Sequence, residues 1–344
     1  MGYRTSSLYP YGSTARLRED VLAALGVLKI ATGQQITELV RPNAKSNKAI
    51  RNALLDLARH RLTTPDGYTR TPKGDLRLQP TVKAQKLWRL TPAGLQAAAE
   101  VLPAGTSSKS TARGAGRSGA PHAMLVNRLV IAFVRGGLDA TTLGELCTVR
   151  DWQTEVQHPI AGRESVISDA VLRAPELGVP VLMVEADRST MAPGRVAEKV
   201  SRYRAYYRRT IRLPGHRQKT PMWRLTYSDT GREGYPPVAF VLAGSGPRGL
   251  SQRMTAIENM TRAYWMGQPR QSWGPGHIDY TDTVPVIATT ITRLEDHGPL
   301  GDSWRRFGRQ QWQSLTKALD NPDGQQARQL PAWDEPSPGG VATA

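Results

Sequence analysis

The chain has 344 residues, 39% of them hydrophobic, and a formal net charge of +17. That is apolar content enough for two domains with cores of their own, and the charge points to a polyanionic partner. No run of about 18 apolar residues is long enough to cross a membrane, Met1–Ser7 has no signal-peptide apolar stretch, and the single Cys147 excludes an intramolecular disulfide or a cysteine zinc site; the expected setting is the reducing cytoplasm, with no membrane partner.

The charge is uneven. Residues 1–120 hold 19 Lys/Arg against 7 Asp/Glu, and residues 121–344 hold 27 against 22. A basic front and a near-neutral back fit a nucleic-acid-binding module joined to a second domain. Residues 1–14, rich in Ser, Tyr and Gly, are expected to form a flexible arm. Leu17, Val21, Leu22, Leu25 and Leu28 then recur at helical spacing. A short second helix turns Ile36 and Leu39 inward and stops at Pro42, and Ser46 is placed to cap a third. In that helix Ile50, Leu54 and Leu57 face the core, which leaves Asn47, Lys48, Arg51 and Asn52 outside on its first two turns. A recognition helix presents side chains to base edges from that position; Arg matches guanine and Asn matches adenine.

A β-hairpin follows between Leu62 and Leu90, turning at Pro72-Lys73-Gly74-Asp75. It carries Arg61, Arg70, Lys73, Arg77, Lys83, Lys86 and Arg89, with Trp88 and Leu90 as apolar anchors. Arg70, Lys73 and Arg77 are the expected phosphate contacts. Thr91-Pro92 opens a further helix by cap and first-turn proline. Three helices and a basic hairpin over residues 15–102 predict a winged helix-turn-helix that binds DNA, or alternatively a protein partner. A winged helix commonly reads a palindrome as a homodimer. Residues 103–121 (Gly, Ser and Thr with three basic side chains) have linker composition, and residues 319–344 that of a disordered tail.

From His122 to residue 318 a mixed α/β domain is expected. A helix with Leu125, Leu129, Val130 and Phe133 inward precedes three strands: Trp152–Gln157, Ser165–Leu172 and Val179–Asp187. A helix over residues 194–209, a buried strand at Val238–Ala243, a helix over 250–262 and a last strand at Val284–Thr289 complete it. Tyr203, Tyr206 and Tyr207, on a helix with Arg202, Arg204, Arg208 and Arg209, are read as packing residues that also contact a nucleic-acid backbone, with a covalent tyrosine nucleophile as the alternative. His122 and Asn127 are read as core or capping residues, Gly244–Gly249 as a turn, and Trp265, Trp273, Trp304 and Trp312 as packing around the sheet edge, or alternatively stacking on bases.

Glu185 and Asp187 end the third strand two residues apart, so both face the same side of a sheet. Asp169 lies on the strand before. Acids gathered at a sheet lip repel unless a cation or proton sits between them, and hard oxygens suit Mg²⁺ or Mn²⁺. In a basic protein the corresponding substrate is a phosphodiester. Asp169, Glu185 and Asp187 are the candidate metal ligands, and Glu155 a further ligand or general base. The alternative is a salt-bridged strand end, with Arg188 or Arg195 neutralising Glu185.

The succession Glu155, Asp169, Glu185-x-Asp187, Lys199 resembles the PD-(D/E)XK nuclease superfamily. Together with the front module, Asp169-Ala170-Val171-Leu172, Val184-Glu185-Ala186-Asp187-Arg188-Ser189-Thr190 and Lys199-x-x-x-Tyr203 resemble the replication-relaxation family, associated with plasmids and mobile elements of actinobacteria. The likeness spans residues 15–310. It implies a restriction-endonuclease-like back domain, a role in plasmid replication and DNA relaxation alongside other replication or transfer proteins, and metal-dependent nicking of DNA, with Asp169 and Glu185 in the metal-binding positions. Asp187 stands where the nuclease motif has lysine. Lys199, 12 residues further on, would have to supply that charge from the helix. The alternatives are a non-catalytic replication or partition factor with a degenerate nuclease fold, and a transcription regulator using the winged helix alone.

Overall fold

A computed structural model describes residues 7–69, 84–103, 120–136, 147–215, 217–270, 272 and 277–322. Arg70, Lys73, Arg77 and Lys83, the 72–75 turn, Trp273, nearly all of the linker and the chain after 322 lie outside the described residues.

The front half is built from α1 (Ala15–Leu28), β1 (Ile30–Thr32), α2 (Gly33–Val40), α3 (Lys48–Arg59), β2 (Thr63–Tyr68), β3 (Lys86–Leu90) and α4 (Pro92–Val101). The helix starts are chemically marked. Thr14 and Thr91 cap α1 and α4, and Thr32 with Gln35 forms a reciprocal capping box on α2. At α3 the expectation fails: the residue at the cap is Asn47, not Ser46, and no side chain caps the helix. Asn47 has ψ of 13°, away from the extended conformation in which a cap side chain reaches back to the first turn. β3 is the centre of an antiparallel sheet ordered β1-β3-β2. β1 is three residues long, too short for any periodicity, and is held by pairing Ile30, Ala31 and Thr32 with Arg89, Trp88 and Leu87.

The segment ahead of α1 is packed on α3 over its described part. Asp56, fully buried, accepts from the Tyr11 and Ser13 amides at 3.0 Å each. Asn52 donates to the Tyr11 carbonyl (3.0 Å), and Tyr9 lies between Arg18 and His60. A loop-like composition concealed this because its anchor is a single carboxylate 43 residues from Ser13.

The back half begins with α5 (Pro121–Arg135) and a meander of β4 (Trp152–Pro159), β5 (Ser165–Ala174) and β6 (Val179–Asp187). Then come α6 (Pro193–Arg208), the hairpin β7 (Thr210–Arg212) and β8 (Lys219–Pro221), β9 (Val238–Leu242), α7 (Pro247–Met260), α8 (Arg262–Trp265), and the pair β10 (Gln268–Pro269) and β11 (Ile278–Asp279). β12 (Val286–Thr290), α9 (Ile291–His297), β13 (Trp304–Arg306), β14 (Trp312–Gln313) and α10 (Leu315–Leu319) follow. The protein is mixed α/β, with a seven-stranded sheet ordered β14-β13-β12-β9-β6-β5-β4. β6, β9 and β12 are parallel, and the strands outside them antiparallel. Val284–Thr289 is therefore not the last strand. β13 and β14 are too short to register as alternation, and are held by the buried Trp304 and by Arg306, whose guanidinium donates to the carbonyls of Ala318 and Leu319.

Side chains of β6 alternate between two buried layers. Val181 and Met183 pack with Val196, Val200 and Tyr203 of α6 and Met254 and Ile257 of α7. Leu182 and Val184 face the other way, into a cluster that includes Leu129 and Phe133 of α5 and runs on without a break into α1–α4. Polar contacts bind the same seam. Asn127 donates to the Ile30 carbonyl (2.8 Å), Thr154 to the Val27 carbonyl, and Arg150 pairs with Asp20 (3.2 Å). The front bundle thus packs directly on one face of the sheet.

Burial opposes the charge on Asp56, but hydrogen bonds from Ser13 and Tyr11 and the nearby Arg18 outweigh it and hold the carboxyl below its usual range. A depressed folded-state value stabilises above the ordinary carboxylate range and is lost as pH falls through the folded value. Asp56→Ala is expected to cost on the order of 2 kcal/mol, the scale of hydrogen bonds to a charged group, and to expose the Tyr11 and Ser13 amides to hydrogen exchange. Unchanged protection of those amides would show that the arm is held by other contacts.

A candidate acid–lysine site at the sheet lip

The register of the meander lines up three acids. Thr154 pairs with Ala170 and Val156 with Ser168, which sets Glu155 across from Asp169; Ala170 pairs with Val184, and one step further Asp169 comes opposite Glu185. Three adjacent antiparallel strands therefore deliver Glu155, Asp169 and Glu185 to one level near the end of β6. α6 returns along the face carrying Glu185 and brings Lys199 and Tyr203 with it. Their side chains, four apart on one helical face, both reach the Glu185 carboxylate.

The Lys199 ammonium contacts Glu185 Oε2 and lies 3.9 Å from Asp169 Oδ2. Tyr203 donates to Glu185 Oε1 at 2.6 Å. The Ala186 amide donates to Asp169 Oδ2 (2.8 Å), and His122, at the start of α5, sits with Nε2 3.2 Å from Asp169 Oδ1. The cluster grades from closed to open: side-chain exposure is 2% at Glu185, 15% at Asp169, 28% at Lys199 and 48% at His122. His122 is thus a site residue and not the core or capping residue expected from sequence, whereas Asn127 is buried.

Burial pushes the Glu185 carboxyl up, to about 8, and the charge of Asp169 adds to it; Lys199 and Tyr203 pull the other way. Burial also disfavours charge on Asp169, yet His122, Lys199 and the Ala186 amide hold it below its ordinary value. Lys199 is shifted up, since the attraction of Glu185 and Asp169 exceeds its desolvation. Two acids of one site are therefore driven in opposite directions, a pattern that accompanies acid–base chemistry.

A buried polar chain continues behind Glu185. Tyr203 OH is 2.7 Å from Ser168 Oγ, Ser168 Oγ is 3.3 Å from His158 Nδ1, and His158 Nε2 is 2.7 Å from Tyr227 OH. Burial pushes His158 down to about 4, so the imidazole is neutral at pH 7 and serves as a hydrogen-bonding strut. Tyr203, Tyr206 and Tyr207 are all buried, which fits packing but not the expected contact with a nucleic-acid backbone, and Tyr203 has this polar role as well.

Asp187 does not join the pair. Arg253 of α7 grips it through Nε and Nη2, with Nη2 3.0 Å from Oδ1, and the Ser189 amide donates to Oδ1 at 2.9 Å. Glu155 is exposed, and its charge acts on Lys29, a buried ammonium at the end of α1 that desolvation shifts down and Glu155 partly restores. Arg195 pairs with Glu198, so neither it nor Arg188 is what meets Glu185. Five described non-glycine residues have positive φ, and four of them adjoin this lip: Lys29, Ala120, Glu155 and Ser189. Strained backbone concentrates where a constellation is held for use.

Every oxygen of Asp169, Glu185 and Asp187 thus has a partner, and among the described residues no group of three or more His, Cys, Asp or Glu side chains is placed to hold a metal. The three-acid set does not fit a divalent ion in this arrangement. The Asp169–Glu185 pair does fit a cation, because the Lys199 ammonium already sits against both.

On α3, Lys48 and Arg51 are exposed and Asn47 half-buried, while Asn52 is turned to the Tyr11 carbonyl. Among the hairpin cations, Arg89 is paired with Asp66 (3.2 Å) and Lys86 lies over the Trp88 ring.

A family model described as replication-relaxation matches residues 22–221, which take in the front module, the acid meander and α6. No curated protein and no solved structure matches the chain. No helix among the described residues is long and apolar enough to cross a membrane.

Tyr203→Phe is expected to cost about 1–3 kcal/mol, the scale for leaving a buried acceptor without its donor, measured by chemical denaturation. A folded-state value raised above the ordinary 4.5 makes Glu185 favour the fold below 4.5 and oppose it increasingly as pH rises through about 8. The stability of Glu185→Gln relative to wild type should therefore improve between pH 5 and pH 9. The gain should approach about 1.4 kcal/mol for each pH step over which Glu185 is protonated in the folded chain and ionised in the unfolded one. A difference that stays flat across that range would mean Glu185 is ionised throughout.

Proposed function

The chain belongs to the replication-relaxation family, and we propose that it binds DNA through a winged-helix front module and acts on a phosphodiester at the Asp169–Glu185–Lys199 lip, in the replication or relaxation of a plasmid or mobile element. The observation that carries the reading is the position of Lys199. The strand position where a PD-(D/E)XK nuclease has lysine is occupied by Asp187, and the helix instead brings the Lys199 ammonium to Glu185. An acid pair with an adjoining lysine is the combination such a nuclease uses.

In this reading α3 offers Lys48 and Arg51 to DNA, and the lip receives the backbone. Lys199, partly exposed, is a compact charge on a flexible stem able to leave Glu185 and meet a phosphate oxygen as negative charge grows there. That releases Glu185 Oε2 as a hard oxygen donor, beside an Asp169 still held by the Ala186 amide and His122. Mg²⁺ or Mn²⁺, bound by one or two carboxylates and the substrate phosphate, would polarise that phosphate and acidify a water. Tyr203 fixes the Glu185 rotamer, and Arg253 keeps Asp187 neutralised and out of the way. Asp187 and Glu155 are supporting residues in this scheme, not ligands.

A second reading, a non-catalytic replication factor built on a nuclease-like frame, is favoured by the saturation of all three carboxylates and the two-point Arg253 clamp on Asp187. Supercoiled-plasmid nicking with and without Mg²⁺ or Mn²⁺ separates the two. The nuclease reading expects metal-dependent nicking that falls about 100-fold or more in Asp169→Ala and Lys199→Met, with DNA affinity retained. DNA binding without nicking under either metal would leave the second reading standing. For the front module, Arg51→Ala should relax sequence preference. Lys73→Ala, outside the described residues, should weaken binding to all sequences and reduce the salt slope by about 1. A binding isotherm untouched by either change would remove the winged-helix interface.

A further inference from the structure

A groove opens between α2, the first turns of α3 and strand β3, lined by Asn47, Arg51, Leu55, Gln85, Lys86 and Trp88. Its chemistry is mixed in a particular way. Arg51 and Lys86 are exposed cations on its rim, and no carboxylate lines it among the described residues. Leu55 and Trp88 form an apolar floor. Asn47 and Gln85 are half-buried amides whose side chains make no hydrogen bond among the described residues, and the same holds for the Arg51 guanidinium.

Among the described residues, the combination of unpaired cations with open amides and an apolar floor is what singles this groove out, and several arginines elsewhere are held by acids. Arg89, Arg128, Arg150, Arg204, Arg253 and Arg305 each have a carboxylate partner. Cations held by acids are structural; the ones left without an acid beside open amides are available to an external polyanion. Charge complementarity therefore selects a nucleic-acid occupant, and the amides and apolar floor select what part of it enters.

Resting on the DNA-binding reading above, we propose that this groove reads the major-groove edge of an A·T base pair: Asn47 and Gln85 bind the adenine, the Leu55 side chain packs on the thymine methyl, and Lys86 holds a flanking phosphate. Adenine presents the N7 acceptor and one N6–H donor there, so one of the two amides donates to N7 and the other accepts from N6–H, and thymine is the base with a methyl group in the major groove. Arg51 on the rim is left to the neighbouring step. Gln85 and Lys86 enter the recognition surface from the base of the hairpin, and Asn52, occupied by the arm, leaves it.

The test begins with selection of bound duplexes from a random-sequence library by the full chain. The enriched sequences should share an A·T pair at one position. Asn47→Ala and Gln85→Ala should each flatten the preference at that position by roughly tenfold and leave preferences elsewhere intact. Replacing that thymine by deoxyuridine, which removes only the methyl, should weaken wild-type binding several-fold and have no effect on Leu55→Ala. Melting temperatures of the variants report whether each is folded, and Gln85→Ala, half-buried just ahead of β3, serves if Leu55→Ala is not. Enriched sequences whose variant-sensitive position is G·C, or preferences that neither amide variant changes, would overturn the proposal while leaving DNA binding in place. A library from which nothing is bound would overturn the DNA-binding reading itself.

Discussion

The contact between Lys199 and Glu185 is the constraint on which the back half turns. Glu185 ends a strand buried on both faces, and a carboxyl group left there without hydrogen-bond partners would cost about 1–3 kcal/mol. Its partner comes from α6, which must therefore lie along this face of the sheet in a fixed axial position. With α6 so placed, Tyr203 is one turn on, Val196 and Val200 fall on the core stripe, and Arg204 and Arg208 reach Asp282 on the far side. Replacing such a buried acid–lysine contact by apolar residues commonly costs a protein little. That it stands at the open end of the sheet, joined by Asp169 and His122, is what makes a structural role an incomplete account of it.

The same lip is where the two halves of the chain meet. Lys29 comes from the end of α1, His122 from the start of α5, Asp169 and Glu185 from the meander, Lys199 from α6. The apolar layer beneath is continuous from the front bundle into the sheet. A DNA duplex held on α3 would be held by a body rigidly attached to the acid–lysine cluster, so recognition and any chemistry would share one frame. The direct packing of α1 and α2 on β4 and α5 achieves this, with Asn127 and Thr154 satisfying the polar groups that the seam buries.

Much of this was legible along the chain. The helices α1, α2, α4, α5, α6 and α7 declare themselves by apolar spacing and by Thr or Pro at their starts, and β6 and β9 by apolar runs that signal burial on two faces. Asp169 and Glu185 were identifiable because an acid at the end of such a run is costly and so invites a reason. Asp187 was misleading. Two residues from Glu185, it shares its face, but α6 meets one position and α7 the other, and only the packing of two helices reveals that. His122 gave no signal: a lone histidine at a helix start has many uses, and its partner is 47 residues away.

Composition and local pattern alone determined the class of the protein: basic front, mixed α/β back, acids at a strand end, and a family likeness resting on the order of short motifs. These are one-dimensional properties, set by spacing and by charge per segment. What the tertiary structure decided is which charges cancel. Whether a carboxylate meets a lysine, an arginine or water depends on strand register and helix placement, distances of a few ångströms set by the whole core, and electrostatic energy in a low-dielectric interior changes steeply over that range.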